Sequence, residues 1–266
     1  MINQIYVNST DSYIICTIRA SFHISEIKGA VLLIPGFSQS MCDIDYFMTK
    51  LANMLNDQGY ATMQIDICGH GDSYGDLAVL NCETVKKNIA SAYEYLKEWC
   101  NRKPIIGVAR GLYANILCVN NLSSMFNYII GINPVIAKLC IDDSKCKKNK
   151  ICNFSDLIAN DEMYDYLFTL LGAEKTNIIG QRINTSFIYE ALYYINNALF
   201  PNNAVILSSY NDDMQMEKLT SPNLKQNVKY MSERCFVRDH EWQENLANII
   251  VNSIKEMDYE DTFSNK

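Results

Sequence analysis

Histidine is scarce in this chain: three residues in 266, namely His23, His70 and His240. Imidazole chemistry therefore has three places to sit. Cations are also in short supply, with 23 Lys and Arg against 30 Asp and Glu and a net charge of −7. Nucleic acid needs clustered cations to neutralise its phosphates. The one basic run, SKCKKNK from Ser144 to Lys150, reads as a solvated loop, so no nucleic-acid partner is expected. No apolar run approaches the ~20 residues of a membrane-spanning helix, so no membrane span is expected. The opening MINQIYVNSTDSYIIC has no basic stretch leading into an apolar one, which argues against a signal peptide. Ten cysteines without an export signal point to reduced thiols and a cytoplasmic location. None of them forms a CxxC pair. Cys140, Cys146 and Cys152 are evenly spaced, but their gaps are wide and no histidine accompanies them. Neither a metal nor a cofactor is expected.

Beyond these absences the chain alternates. QIYV and YIICTIR flank the turn-forming NSTD and predict a β-hairpin. AVLLI, from Ala30 to Ile34, is continuously apolar, as in a strand buried on both faces. A helix is expected from about Asp45 to Gln58, stopped by Gly59. YATMQIDI is the next strand, followed by the glycine-rich CGHGDSYGD. Val85, Ile89, Ala92, Tyr93 and Leu96 line one face of a helix from Glu83 to Trp99. PIIGV, a helix from Leu112 to Val119, and the strand FNYIIGINPV follow. The expected fold is α/β, with a mostly parallel central sheet and helices on both faces.

The alternation breaks between about Ala137 and Pro201 and resumes with the strands AVILSSY and VKYMSERCF and a last helix from Glu241 to Met257. Residues 1–136 and 202–266 are thus read as one core, and 137–201 as an inserted helical lid. The lid is rich in aromatics: Tyr164, Tyr166, Phe168, Phe187, Tyr189, Tyr193 and Tyr194. They are read as its packing face, with room for an apolar acyl or peptide group among them. Arg182 and the lysines near Lys147 offer an alternative for an acidic group.

The stretch IIGVARGLY has the spacing of a nucleophile elbow, G-x-S-x-G, with Ala109 in the serine's place. An elbow projects its central side chain from the C-terminal edge of the sheet through a strained strand-to-helix turn. The N–H of Arg110, just beyond, would face a developing oxyanion. IPGFSQS ends another strand nearby and offers the N–H of Phe37 as a second donor. Asp212, with Asp213 as the alternative, follows AVILSSY, where an acid would orient an imidazole. His240 precedes the last helix and is the expected base. His70, in GHGDS, is read as a loop histidine. Ser38, Ser40 and Cys42 lie near the oxyanion segment as substitute nucleophiles, though none sits on an elbow.

Taken in order, VLLIPGFSQS, IDICGHGDSYGD, GVARG, SSYNDD and RDHEW resemble the α/β-hydrolase superfamily over almost the whole chain. The PGF segment, the GHGDSYGD loop and IIGQRINTSFIYEAL more faintly resemble exosortase-associated hydrolases. The resemblance implies a serine hydrolase or acyltransferase working on an ester, thioester or activated amide, with a small-molecule, acyl or peptidyl substrate and an acyl carrier or peptide as a further partner. The departure is Ala109, which has neither a nucleophilic atom nor a proton to give. Two explanations are open: a serine replaced to trap a substrate or product, or a natural pseudohydrolase that binds a ligand or protein without chemistry.

Overall fold

Six-residue runs that are buried from end to end form the centre of the sheet. They are β3 (Gly29–Ile34), β4 (Tyr60–Ile65) and β5 (Ile105–Arg110). Such runs suit strands covered on both faces by helices. The computed structural model describes residues 1–9, 12–21, 23–118, 120–135, 151–153, 181–197, 200–208, 228–230 and 240–264.

The hairpin β1 (Ile2–Ser9) and β2 (Ser12–Arg19) pairs antiparallel, and β2 joins β4 antiparallel. From β4 onward every pairing is parallel, through β3, β5, β6 (Tyr128–Ile132), β9 (Ala204–Ser208) and β10 (Val228–Tyr230). The order is β1-β2-β4-β3-β5-β6-β9-β10. A separate ribbon pairs β7 (Ile151–Asn153) with β8 (Arg182–Asn184).

Two apolar layers sandwich the sheet. On one face α1 (Phe47–Asp57) and α5 (His240–Ser264) bring Phe47, Leu51, Leu55, Leu246 and Ile250 against Val31, Leu33, Ile106 and Val108. On the other, α2 (Cys82–Trp99), α3 (Leu112–Leu117) and α4 (Thr185–Asn197) bring Val85, Ile89, Leu112, Phe187 and Ile188 against Leu32, Ile34 and Ile105. The period-two alternation of β5 thus sends Ile106 and Val108 one way and Ile105 and Ala109 the other. Each such aliphatic side chain contributes about 1.5–3 kcal/mol by burial.

α1 begins later than its apolar spacing predicts. Asp45 and Tyr46 both have positive φ, 48° and 61°, so helical geometry starts only at Phe47. α2 begins where the Asn81 side chain accepts from the Thr84 amide at 2.7 Å. The Cys82 amide, in the first turn, donates to the Glu190 carboxylate of α4 at 2.8 Å. This bond ties the second half of the interrupting segment to the core. The rest of the expected lid, residues 137–150, 154–180 and 198–199, lies outside the described residues.

Candidate functional site

The strands β3, β5 and β6 end together, and their ends set the geometry of the candidate site. β5 does not stop at Val108. Ala109 pairs with Ile34 on one side and Gly131 on the other, and Arg110 pairs with Ile132. The Gly111 amide still donates to the Ile132 carbonyl at 2.9 Å. The sharp turn falls at Gly111, whose φ of 59° and ψ of −133° cap α3. That backbone is strained for any residue with a Cβ.

The expected placement of Ala109 at the turn is therefore corrected by two residues. Ala109 is a fully buried strand residue in the helix-covered core beside Leu112 and Tyr113. Its side chain does not project from the sheet edge. The position with elbow geometry is Gly111, which carries no side chain at all. Arg110 is likewise the last strand residue, and the first helical amide belongs to Leu112.

The Arg110 side chain fills the space at the strand ends. Its Nε donates to Asp43 Oδ2 at 2.8 Å and its Nη2 to Oδ1 at 2.5 Å, a bidentate pair with both side chains almost wholly buried. Asp43 also accepts from the amides of Gly36 at 3.3 Å and Ile44 at 2.7 Å. The guanidinium lies directly on Gly36: a methyl at that Cα would overlap it.

Beside the pair lies a second buried cluster. Phe37, fully buried, stacks on Phe187 of α4 at 5.1 Å between ring centroids. Its ring also meets His70 and Tyr113 edge to face. His70 Nε2 lies 2.9 Å from the Ser38 amide and 2.9 Å from the Tyr113 hydroxyl, and Nδ1 lies 3.1 Å from the Cys68 carbonyl. An amide can only donate and a carbonyl only accept, so the assigned tautomer carries its proton on Nδ1. Burial pushes the His70 pKa down to about 4, partly offset by the Cys68 carbonyl. The same burial raises Tyr113 well above the ordinary tyrosine value. His70 is thus a neutral acceptor whose basic nitrogen is already engaged.

This gives a pH prediction. A histidine with a depressed folded pKa stabilises the protein above the unfolded value of about 6.5 and loses that contribution as pH falls toward 4. Asp66, buried and raised above the ordinary aspartate range, works in the opposite sense. Chemical unfolding at pH 7 and pH 5 should show an acid-induced loss smaller by about 2 kcal/mol in His70→Gln than in the wild type. Equal losses in both proteins would refute the assignment.

His240 opens α5 with a side chain 76% exposed, 3.8 Å from Glu244. Asp212 and Asp213 lie outside the described residues, as do Lys147, Tyr164, Tyr166 and Phe168. Among the described aromatics of the segment expected to be a lid, Phe187 packs inward, whereas Tyr189 and Tyr193 are exposed at 45% and 60%. Arg182 reaches Asp76 at 3.3 Å, both exposed. Ser38 has a φ of 62° and a buried Oγ with no hydrogen-bond partner. Among the described residues no cluster of His, Cys, Asp and Glu could hold a metal, and no helix is long and apolar enough to cross a membrane.

Sequence reasoning missed Gly111, Asp43 and Tyr113. Only Gly111 carried a signal, as the sole glycine directly before the predicted helix.

No family model matches the chain, and no curated protein matches it. Solved structures do resemble it. Est1E from Butyrivibrio proteoclasticus, with ferulic acid bound, superposes with a TM-score of 0.66 at 15% identity, covering 96% of this chain and 98% of that one. Monoglyceride lipase from Saccharomyces cerevisiae, in complex with a substrate analogue, gives 0.66 at 14%, covering 96% and 95%. A thermostable carboxyl esterase from Bacillus coagulans gives 0.63 at 12%, covering 96% and 98%. The fold is that of the α/β-hydrolases.

Proposed function

We propose that this protein binds an acyl or ester-type ligand at the C-terminal edge of an α/β-hydrolase sheet and does not cleave it by covalent serine catalysis. One observation carries the reading: the residue with elbow geometry is Gly111. An elbow without a hydroxyl cannot form an acyl-enzyme. Two further features support it. The Arg110–Asp43 pair packs against Gly36, where β3 ends and an oxyanion hole would be sought. The only buried histidine has its Nε2 taken by Ser38 and Tyr113. The ligand class follows from Est1E and monoglyceride lipase, whose described ligands are ferulic acid and a substrate analogue, and from the apolar rings of Phe37 and Phe187 beside the site.

The reading of Ala109 as a serine removed by substitution loses its support, because a side chain at 109 faces the core. Hydrolysis or acyl transfer remains a second reading through a different nucleophile. Ser38, with its left-handed backbone and buried, unpartnered Oγ beside His70, favours it. The wild-type protein is expected to take up no fluorophosphonate and to cleave short p-nitrophenyl esters no faster than buffer. Stoichiometric labelling mapped to Ser38 would establish the second reading instead.

A further inference from the structure

Beyond the C-terminal end of β4 lies a cavity of about 250 Å³, between Ser9 and Ser12 at the facing ends of β1 and β2, the loop after β4 and the first half of α2. None of Phe37, Ala109, Arg110 or His240 lines it. Its floor is fixed. The Asn88 side chain, fully buried, accepts from the Cys68 amide at 2.9 Å and donates to Ser9 Oγ at 2.9 Å. Ser12 Oγ donates to the Ser9 carbonyl at 2.9 Å, and Thr84 Oγ1 donates to Asn81 Oδ1 at 3.0 Å. A hydroxyl has one donor and two acceptor sites. Ser12 Oγ also lies 3.3 Å from Cys68 Sγ, so Ser9 keeps a hydrogen to give, Ser12 one lone pair and Thr84 both of its own.

The rim is built differently. Tyr74 and Val79 are 56% and 67% exposed and form an apolar lip. Tyr74 is held in place by Tyr13, 5.7 Å away between ring centroids. Two charges of opposite sign complete the wall, Asp76 and Lys87. Asp76 already engages Arg182, and Lys87 has no ion-pair partner among the described residues.

We propose that this cavity is a binding site for a single sugar ring or another neutral polyol of that size. Such a ligand presents hydroxyls that both donate and accept, matching the spare valences of Ser9, Ser12 and Thr84. Its C–H face suits the exposed Tyr74 ring. Charge on the ligand would be favoured by one of Asp76 and Lys87 and opposed by the other. The volume admits one ring, and none of the residues that line it belongs to the cluster of Phe37, His70, Tyr113 and Phe187, so this site is distinct from the one proposed at the strand ends.

Saturation-transfer NMR on the full chain tests it, with glucose, galactose and myo-inositol as neutral probes and butyrate and methylammonium as charged ones. At least one polyol should bind saturably with a Kd of about 1 mM, the range for a small ligand held by a few hydrogen bonds. Tyr74→Ala, at an exposed position that should leave folding intact, is expected to weaken that binding about tenfold. Thr84→Val should weaken it by a similar factor. The proposal is overturned if no polyol saturates, if a charged probe binds more tightly than every polyol, or if both variants bind as the wild type does.

Discussion

Replacing Arg110 with methionine is expected to lower stability by about 3–5 kcal/mol, the usual cost of removing one partner from a buried ion pair. Methionine fills similar volume, so packing loss is a minor part. What remains is the Asp43 carboxylate, buried, with only the Gly36 and Ile44 amides to hold it. Urea unfolding measures the loss directly. Asp43→Asn added to Arg110→Met should recover part of it, because the stranded charge is then gone. A loss below about 1 kcal/mol for Arg110→Met would mean that the pair is solvated as surface pairs are.

Gly36→Ala should cost about 3 kcal/mol or more, for a related reason. The added methyl and the Arg110 guanidinium cannot occupy the same space, so either β3 shifts or the bidentate pair opens. The two substitutions share one cause and should be strongly non-additive. In the Arg110→Met background the same Gly36→Ala change should cost less than half as much, because the thioether bends where the guanidinium cannot. Additive losses would show that Gly36 is constrained by something other than Arg110.

The sheet was legible because its central strands are apolar throughout. Ala30–Ile34 and Ile105–Val108 have no polar face to confuse with a surface element, and the structure buries both completely. The helical stripes of α1 and α2 were legible from the spacing of their apolar side chains, which fall on one face of a helix. The elbow was misplaced because Gly107 and Gly111 look alike in the sequence and do different work. Gly107 lies inside β5, where an added Cβ would come within 3.0 Å of Leu117 and Phe126. Gly111 supplies the positive φ that turns strand into helix. Reading both as flanks of one turn put its centre at Ala109. The Arg110–Asp43 pair could not be read, since its members are 67 residues apart, Asp43 stands in no motif, and the elbow motif drew attention to the amide of Arg110 and not to its side chain. Asp43 further depends on a positive φ that nothing in CDIDY announces.

The turn at the end of β5 belongs to Gly111 and leaves residue 109 inside the core. Fluorophosphonate labelling of Ala109→Ser, followed by intact-mass spectrometry, tests it most directly. A serine hydroxyl at 109 would face the layer that holds Leu112 and Tyr113, whereas the His240 side chain is exposed. Ala109→Ser is expected to fold, destabilised by about 1–3 kcal/mol through burial of a hydroxyl, and to take up no more probe than the wild type. A probe adduct on the serine of Ala109→Ser, accompanied by ester hydrolysis, would overturn this placement and return the nucleophile to position 109.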